Sequence, residues 1–436
     1  MTTVDHLLDT LRKQVGARAA DLEKQFGISR PTLTRLIAKA GERVCRMGRG
    51  PATRYALTRE VHHLGTQVPV HRIDEAGRIH RNATLHLLTS FSGNHHWLEP
   101  TEGQGTFFEG LPPFAADMSP QGYIGRGFTR RNPGLELPPR VIDWHDDHRL
   151  VALSLRGEDC VGAFIIGKES LDRFLSLHEQ EVDESDYPGL ATASGKEQTG
   201  SSAGGEQPKF FTYSRGRHHI VKFASNDDSA AARRWRELLV CEERALASVG
   251  AVGIDVATSR WFDKEGYRFL EVERFDRIGA RGRRGLLSLG AITDEYFGDR
   301  DNWTQAALRM AKAQSITPED ARRIRWLDTF GQLIGNTDRH FGNLSFFDEG
   351  PTRFRLAPVY DMLPMLFAPN GTLIVEHEFK PRPPTADTLD VWHDAARHAL
   401  AYWARLAHEP ALGPDFRERC ARCGDTLQAL VRQVPS

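Results

Sequence analysis

Two acidic side chains and one amide stand at a characteristic spacing in the second half of the chain. Asp338 precedes Asn343 by five residues, and Asp361 follows beyond a strand–turn–strand pattern. A carboxylate such as Asp338 can accept the proton of a hydroxyl nucleophile, while Asn343 and Asp361 can hold Mg2+ on ATP phosphates. The spacing is that of a kinase catalytic loop, although the His-Arg-Asp and Asp-Phe-Gly triplets are absent from the sequence. A capped turn is the alternative interpretation of the same residues.

The charge of the chain is balanced overall but not along its length. The 436 residues, enough for two or three domains, include 57 Lys and Arg against 58 Asp and Glu. Within residues 1–60, however, twelve basic residues face six acidic ones, which indicates nucleic acid as a partner. No apolar run approaches the roughly 18 residues of a membrane span, and no signal-peptide pattern is present. We therefore expect a cytoplasmic protein without membrane contact.

The basic segment 1–60 shows the apolar spacing of a helical module. Its predicted helices cover 3–14, 18–26 and 29–40. Gly27 supplies the turn before the third helix, and Ser29 suits the N-cap of that helix. Residues 44–57, which we call the wing, are predicted to form two strands around a Gly/Pro tip. This order predicts a winged helix-turn-helix that binds DNA, and a packing domain with a charged, solvated face is the alternative. The residues predicted to contact DNA are Arg30, Thr32, Arg35, Arg46, Arg49 and Arg54.

Residues 61–190 contain short apolar runs between Gly/Pro turns, which predicts a mixed, β-rich domain with a few helices, near Leu150 and over Leu171 to Leu177. Two polar clusters, His95-His96 and residues 143–148, lack the spacing of a metal site, so we predict turn or surface positions for both. From Glu179 to Glu206 the chain becomes acidic and then rich in Gly, Ser and Thr. That composition predicts a linker that runs into a flexible loop.

The loop from Thr199 to Phe210 carries small residues that let backbone N–H groups approach phosphate oxygens. A strand predicted over 219–224 follows, and its Lys222 can pair with ATP phosphates; an edge-strand charge is the alternative. The acidic residues of the next predicted helix are candidate partners for this lysine: Glu237, Glu242 and Glu243. Helices dominate from Asp301 onward. The sequence thus predicts an α+β protein in which a nucleotide binds between a β-rich and a helical lobe.

Five motifs occur in the order and spacing of one known family. They are the Gly-rich run 200–209, Val221-Lys222, Glu273–Arg277, Asn336–His340 and Val359–Met362. Over residues 65–436 the chain resembles the HipA-like serine/threonine kinases, the toxin components of bacterial toxin–antitoxin systems. Residues 1–60 are similar to the fused helix-turn-helix of the family's YjjJ type. The domains expected from this resemblance are the winged helix-turn-helix (1–60), a β-rich N-terminal subdomain (61–190) and a C-terminal kinase domain (191–436).

The resemblance implies ATP and Mg2+ as cofactors and a role for each motif. Asp338 is expected to be the catalytic base, and Asn343 with Asp361 the Mg2+ ligands. The ATP-binding residues implied are Ser202, Ala203, Gly204, Gly205, Lys222, Glu273, Arg274, Phe275, His340 and Tyr360. The residue expected to be autophosphorylated is Ser201 or Ser202, and a phosphate there would repel ATP.

The function implied is an autophosphorylating Ser/Thr protein kinase with a fused DNA-binding module for regulation. Aminoacyl-tRNA synthetases are the substrate class that the resemblance implies, and a separate antitoxin and a second copy of the chain are further expected partners. The fused module departs from the usual family arrangement, in which the DNA-binding antitoxin is a separate chain. A DNA-binding transcription regulator whose kinase-like body only senses ATP is therefore the alternative, and a small-molecule kinase also stays open.

Overall fold

The structure, a computed structural model, describes residues 3–198, 207–350 and 352–435. The chain divides into two compact units. The first comprises Met1–Pro120 and Thr129–His178, and the second comprises Gln121–Phe128 and Glu179–Ser436. None of the helices within the described ranges is both long and apolar enough to cross a membrane.

The described residues up to 178 form seven α-helices and eight strands. In chain order the helices are α1 (Val4–Lys13), α2 (Ala19–Phe26), α3 (Arg30–Ala40), α4 (Pro113–Met118), α5 (Gly122–Arg131), α6 (Asp146–Arg156) and α7 (Lys168–Ser176). The strands are β1 (Ala17–Arg18), β2 (Val44–Met47), β3 (Arg54–Thr58), β4 (Gln67–Ile73), β5 (Ile79–Ser90), β6 (Gly93–Pro100), β7 (Thr106–Phe108) and β8 (Phe164–Ile166).

Strands β1 to β8 form one antiparallel sheet. Its order is β1-β3-β5-β4-β8, with β2 on β3, β6 on β5 and β7 on β6. Strand β5 is long enough to pair with β4 through its first residues and with β3 through Leu88 and Thr89. Because β6 occupies the opposite edge of β5, β3 and β4 follow one another along the same edge. Residues 3–60 therefore share a sheet with the β-rich segment that follows them.

The three predicted helices of residues 3–60 are confirmed as α1, α2 and α3. Leu7 and Leu11 of α1 pack with Leu22 and Leu33 in a common core. Helix α2 ends at Gly27, whose φ of 60° is the left-handed conformation that glycine adopts without a Cβ penalty. The predicted cap is only partly right, because Ser29 occupies the N-cap position of α3 but its hydroxyl contacts the Thr32 hydroxyl instead of a backbone N–H.

The predicted surface position of His95 and His96 is wrong, because both lie buried on β6. The Nδ1 atom of His96 lies 2.6 Å from the carbonyl oxygen of Gly110, and its Nε2 lies 3.0 Å from the guanidinium of Arg59. The same guanidinium lies 2.6 Å from the carboxylate of Asp147, at the start of α6. Burial, and next the charge of Arg59, lower the pKa of His96 to about 4, so its ring is neutral.

The second unit begins with a small sheet and continues into a helical region. Its helices are α8 (Tyr187–Gln198), α9 (Ala230–Gly250), α10 (Leu289–Tyr296), α11 (Trp303–Lys312), α12 (Pro318–Leu333), α13 (Leu389–Ala407) and α14 (Pro414–Gln433). Its strands are β9 (Lys209–Ser214), β10 (Arg217–Ala224), β11 (Ser259–Lys264), β12 (Tyr267–Glu273), β13 (Arg277–Ile278), β14 (Gly282–Arg283), β15 (Leu286–Ser288), β16 (Ser345–Gly350) and β17 (Arg353–Leu356).

Strands β9 to β12 form an antiparallel sheet in the order β11-β12-β10-β9. Helix α9 covers this sheet, with Leu239 packed against Leu270 and Val272. The helices α11 to α14 confirm the predicted helical second half, and their buried aromatic side chains include Trp403 and Phe330. The order of the second unit is therefore a small sheet with a covering helix, followed by a mainly helical region.

Helix α8 corrects the prediction of an unstructured linker before the Gly-rich loop. Tyr187, at its first position, is fully buried, and its hydroxyl donates a hydrogen bond to Glu271 at 2.8 Å. Burial raises the pKa of Tyr187, so the phenol keeps the proton that it donates. A single aromatic anchor thus orders a segment whose composition is otherwise that of a linker.

Candidate active site

Lys222 lies on β10, an inner strand of the small sheet, which excludes the edge-strand interpretation of its charge. Its ammonium nitrogen lies 2.6 and 2.7 Å from the two carboxylate oxygens of Glu242, on α9. It also lies 2.5 Å from Oδ1 of Asp361. Lys222 and Glu242 are both buried, so one ammonium group joins two carboxylates from distant parts of the chain.

The structure selects one of the three glutamates that the sequence offered to Lys222. Glu237 lies 3.1 Å from Arg234 and accepts a hydrogen bond from the backbone N–H of Gly413. Glu243 pairs with its neighbour Arg244 at 2.7 Å. Of these three glutamates, only Glu242 reaches from α9 to Lys222 on β10. The sequence pattern of the helix could not distinguish Glu242 from the adjacent Glu243.

The three charges stabilise one another in a defined way. Burial by itself would lower the pKa of Lys222, but the charges of Asp361 and Glu242 outweigh it and raise the pKa. Burial would likewise raise the pKa of Asp361, yet the ammonium groups of Lys222 and Lys209 bring it below its ordinary value. For Glu242 burial dominates and raises the pKa. Lys222 is therefore charged, and Asp361 presents an ionised carboxylate.

Asp361 also has an unusual backbone. Its φ of 57° is in the left-handed region, which a non-glycine residue seldom adopts. Aspartate tolerates this conformation better than most residues do, because its short polar side chain can bond locally. The conformation is consistent with a side chain whose direction is fixed by its contacts.

The loop after α12 holds Asp338 through two buried amides. The side-chain oxygen of Asn336 accepts the backbone N–H of Asp338 at 3.0 Å, and the amide nitrogen of Asn343 donates to the carbonyl oxygen of Asp338 at 2.8 Å. The carboxylate of Asp338 is 46% exposed, with the Nε2 atom of His340 4.0 Å away. The backbone is thus fixed from both sides while the carboxylate faces the solvent. The sequence motif alone indicates no role for Asn336, although Asn side chains commonly accept the backbone N–H two residues further along the chain.

Asn343 and Asp361 have the donor chemistry of a Mg2+ site. The amide nitrogen of Asn343 is used within the loop, which leaves its oxygen as the acceptor. Mg2+ sites commonly combine one or two such protein oxygens with water and substrate phosphates. No group of three or more His, Cys, Asp or Glu arranged for a metal occurs in the part of the chain that the structure describes. The pairing of these two ligands stays a prediction.

Tyr360 links several of the predicted site residues. Its hydroxyl donates to the carbonyl oxygen of Gly342 at 2.7 Å and lies 2.8 Å from the hydroxyl of Ser345. Its ring lies 5.8 Å from that of Phe275, centroid to centroid. Because Asp361 is the next residue, Tyr360 connects the Asp338 loop, the segment after β12 and the acidic end of the site.

The remaining ATP-binding predictions fall into two groups. Glu273 ends β12 and pairs with Arg217, while Arg274 is buried and lies 3.1 Å from Asp276. The backbone N–H of Arg274 donates to the carbonyl oxygen of His218. Outside the described residues lie Ser201, Ser202, Ala203, Gly204 and Gly205, so their predicted roles stay predictions.

The predicted DNA-contacting residues are all on the first unit, on α3 and the wing. Arg30 pairs with Glu23 at 3.0 Å, Arg35 and Thr32 contact each other at 3.4 Å, and Arg54 donates to the carbonyl oxygen of Gly16. The side chains of Arg46 and Arg49 are exposed, and neither forms an ion pair or hydrogen bond with another described residue.

Known proteins are similar to this chain along almost its whole length. Residues 64–175 match the model of the YjjJ-like toxin middle domain, and residues 201–434 match that of the HipA-like C-terminal domain. The protein described as toxin YjjJ of Escherichia coli (strain K12) is 32% identical over 441 residues, which cover 96% of this chain and 97% of that protein. The chain belongs to the HipA-like toxin family.

Two further chains, both from solved structures, are similar to this HipA-like protein. One is a chain of the Shewanella oneidensis MR-1 toxin–antitoxin complex of HipA, HipB and operator DNA. It has a TM-score of 0.51 at 17% identity and covers 84% of this chain and 97% of that chain, so the two share a fold. The other is the Helicobacter pylori proinflammatory kinase CtkA, with a TM-score of 0.38 at 14% identity over 52% of this chain and 90% of that one.

Proposed function

We propose that the chain is an ATP- and Mg2+-dependent serine/threonine protein kinase that phosphorylates its own Gly-rich loop. The observation that carries the proposal is the buried contact of Lys222 with Glu242 and Asp361. A strand lysine held by a helix glutamate is the arrangement with which protein kinases position ATP phosphates. The carboxylate of Asp338, whose backbone is held by Asn336 and Asn343, supplies the second element that phosphoryl transfer requires.

In the proposed reaction, ATP supplies the phosphoryl group and Mg2+ neutralises charge on its phosphates. Lys222 binds phosphate oxygens and is kept charged and directed by Glu242. Asn343 and Asp361 would hold the metal through their side-chain oxygens. Asp338 orients the serine hydroxyl and accepts its proton as the oxygen–phosphorus bond forms and the bond to ADP breaks.

The test is incubation of the purified chain with ATP and Mg2+, followed by intact mass measurement and phosphosite mapping. We expect one phosphate on Ser201 or Ser202. The Asp338→Asn variant should lose it while it still binds a fluorescent ATP analogue. Asp425→Asn, the same change at an exposed position of α14, serves as the matched control and should keep the phosphate. A phosphorylated Asp338→Asn variant would show that another group is the base.

For residues 3–60 we propose a winged helix-turn-helix that binds DNA. The support is the order α1, β1, α2, α3, β2, β3, the short turn at Gly27, and the excess of basic residues. The Shewanella HipA structure contains HipB and operator DNA, so we extend an antitoxin partner and a DNA partner to this chain as part of the proposal. A dimer follows if the operator has paired half-sites.

The DNA proposal can fail separately from the kinase proposal. Arg35→Ala should weaken binding to the chain's own promoter at least about fivefold, because a base-contacting arginine contributes roughly 1–3 kcal/mol. Arg12→Ala removes an exposed arginine of α1 and should change the affinity much less. If the chain binds DNA and ATP but no phosphate is transferred, the DNA-binding regulator that senses ATP becomes the better function. The protein substrate, for which the family resemblance implies an aminoacyl-tRNA synthetase, would be sought by phosphoproteomics.

A further inference from the structure

A cavity of about 490 Å3 lies in the first unit, where residues of the wing meet strands β4, β5 and β6. It is lined by Glu42, Val44, Cys45, Arg46, Gly48, Arg49, Thr58, Thr66, Gln67, His86 and Glu99. A cavity of this size is in the range that holds small-molecule ligands. None of these residues belongs to the candidate active site.

The cavity lies where β5 changes its partner strand. Thr58 of β3 pairs with Leu88, and Gln67 of β4 pairs with His86. Between these pairs, the carbonyl oxygen of Leu87 accepts a hydrogen bond from the backbone N–H of Arg59, and the N–H of Leu87 donates to the carbonyl oxygen of Thr66. Residues 60–65 therefore leave the edge of β5, and the chain returns to it at Thr66. The start of β4, the end of β3 and strand β2 thus all contribute to the lining of the cavity.

The charged groups of the lining are balanced but mostly not used within the protein. Arg46 and Arg49 are positive, and Glu42 and Glu99 are negative. Within the described ranges, the side chains of Arg46, Arg49 and Glu42 form no ion pair or hydrogen bond, while Glu99 lies 3.1 Å from Nε2 of His86. A small dianion inside the cavity would be attracted by two of these groups and repelled by the other two. A molecule with a carboxylate and an ammonium group satisfies both signs.

Part of the lining is uncharged. Val44 and Cys45 are buried, and burial together with the charge of Glu99 raises the pKa of the Cys45 thiol to about 12. The thiol therefore offers apolar contact at neutral pH. The amide of Gln67 and the hydroxyl of Thr66 add uncharged polar groups to the lining. Uncharged groups beside charges of both signs match a zwitterion with an uncharged side chain.

We propose that this cavity binds a free amino acid, with its carboxylate on Arg46 and Arg49 and its ammonium on Glu42 and Glu99. Occupancy also has a consequence that rests on the proposed DNA binding. Arg46 and Arg49 are wing cations that would contact phosphates, and a bound carboxylate withdraws both from the DNA. The amino acid therefore lowers the affinity for DNA.

Isothermal titration calorimetry of the full chain tests the binding with three probes of similar length: L-glutamine, glutarate and putrescine. We expect saturable binding of L-glutamine and at least about tenfold weaker binding of glutarate and putrescine, each of which lacks one charged group. Glu42→Gln should weaken L-glutamine binding about tenfold. Glu60→Gln, the same change at an exposed residue outside the lining, should leave it unchanged. Absent binding of L-glutamine, equal affinities of the three probes, or an unaffected Glu42→Gln variant would overturn the proposal.

The salt dependence of DNA binding tests the consequence. Each phosphate contact contributes about 0.9 to the slope of log K against log salt. Saturating L-glutamine should therefore reduce the magnitude of the slope by about 1.8, for two contacts. An unchanged slope with confirmed calorimetric binding refutes the coupling. If the chain does not bind DNA even without L-glutamine, the DNA proposal fails while the calorimetric result stands on its own.

Discussion

Replacement of Glu242 by glutamine separates the structural and the catalytic contributions of the buried charge cluster. The variant keeps the size of the side chain but removes the negative charge that contacts Lys222 at 2.6 and 2.7 Å. A hydrogen bond to a charged partner contributes roughly 1.5–3 kcal/mol. The loss should stay in this range, because Asp361 still compensates the ammonium group. At about 2–4 °C per kcal/mol, the melting temperature of the unit should fall by several degrees.

The same variant should change the requirement for Mg2+. In Glu242→Gln, Asp361 is the one carboxylate partner that remains for Lys222, at 2.5 Å. The ion pair of Lys222 with Asp361 therefore becomes stronger, because the ammonium group no longer shares its charge with a second carboxylate. A metal that needs Asp361 must then compete with a stronger ion pair. We expect the Mg2+ concentration for half-maximal autophosphorylation to rise about tenfold, which corresponds to about 1.4 kcal/mol.

Two comparison variants make the interpretation unambiguous. Lys222→Met leaves Glu242 and Asp361 without their shared cation and should cost about 3–5 kcal/mol, more than Glu242→Gln. Glu243→Gln, on the next position of α9, removes a partner of Arg244 near the surface and should cost less than about 1 kcal/mol. Thermal unfolding and a Mg2+ titration of autophosphorylation provide both readouts. A Glu242→Gln variant with wild-type stability and wild-type Mg2+ dependence would refute the role of this cluster.

Three further variants test other parts of the structure. The pKa of His96 is lowered to about 4 in the native protein, so the unfolded chain binds the proton at a higher pH than the native chain does. The free energy of unfolding should therefore fall by about 3 kcal/mol from pH 6.5 to 4. Urea titrations of His96→Gln should show a smaller fall. Tyr360→Phe loses the 2.7 Å hydrogen bond to Gly342, so autophosphorylation should drop about tenfold while ATP binding stays nearly unchanged. Equal losses of autophosphorylation and ATP binding would indicate misfolding instead. Gly331→Ala places a Cβ 2.7 Å from the side chain of Arg339. The melting temperature and the autophosphorylation of this variant should both decrease. A wild-type result would show that the Arg339 side chain moves away at no cost.

Local signals in the sequence predicted the helices well. The helices α11 to α14 and α9 follow the apolar spacing of 3.6 residues, and α2 stops at Gly27 as the turn chemistry requires. The strand that carries Lys222 was also predicted from a local signal, because β-branched and apolar residues surround this lysine in the sequence. These elements depend mainly on neighbours in the sequence, and the pattern of neighbours is what a sequence contains.

Contacts between distant segments could not be predicted in the same way. The choice of Glu242 over Glu237 and Glu243 depends on how α9 lies across β10. The burial of His95 and His96 depends on the pairing of β5 with β6 and on Arg59, which completes their hydrogen bonds. Tyr187 can lie buried at the start of α8 because Glu271, far along the chain, accepts the hydrogen bond of its hydroxyl. Each of these outcomes needs a partner that the local pattern does not identify.

The pairing of β3 with β5 limits how this protein can be divided. A fragment that starts at residue 61 would lose β3, and the backbone groups at Leu88 and Thr89 that face it would become an open strand edge. Open edges of this kind recruit strands from other molecules and lead to aggregation. The isolated segment 1–60 would in turn lack the strand on which β3 rests. Gene fusions, truncations and domain exchanges should therefore keep residues 3–178 together, because the proposed DNA reader is built into the sheet of its neighbour and not attached by a tether.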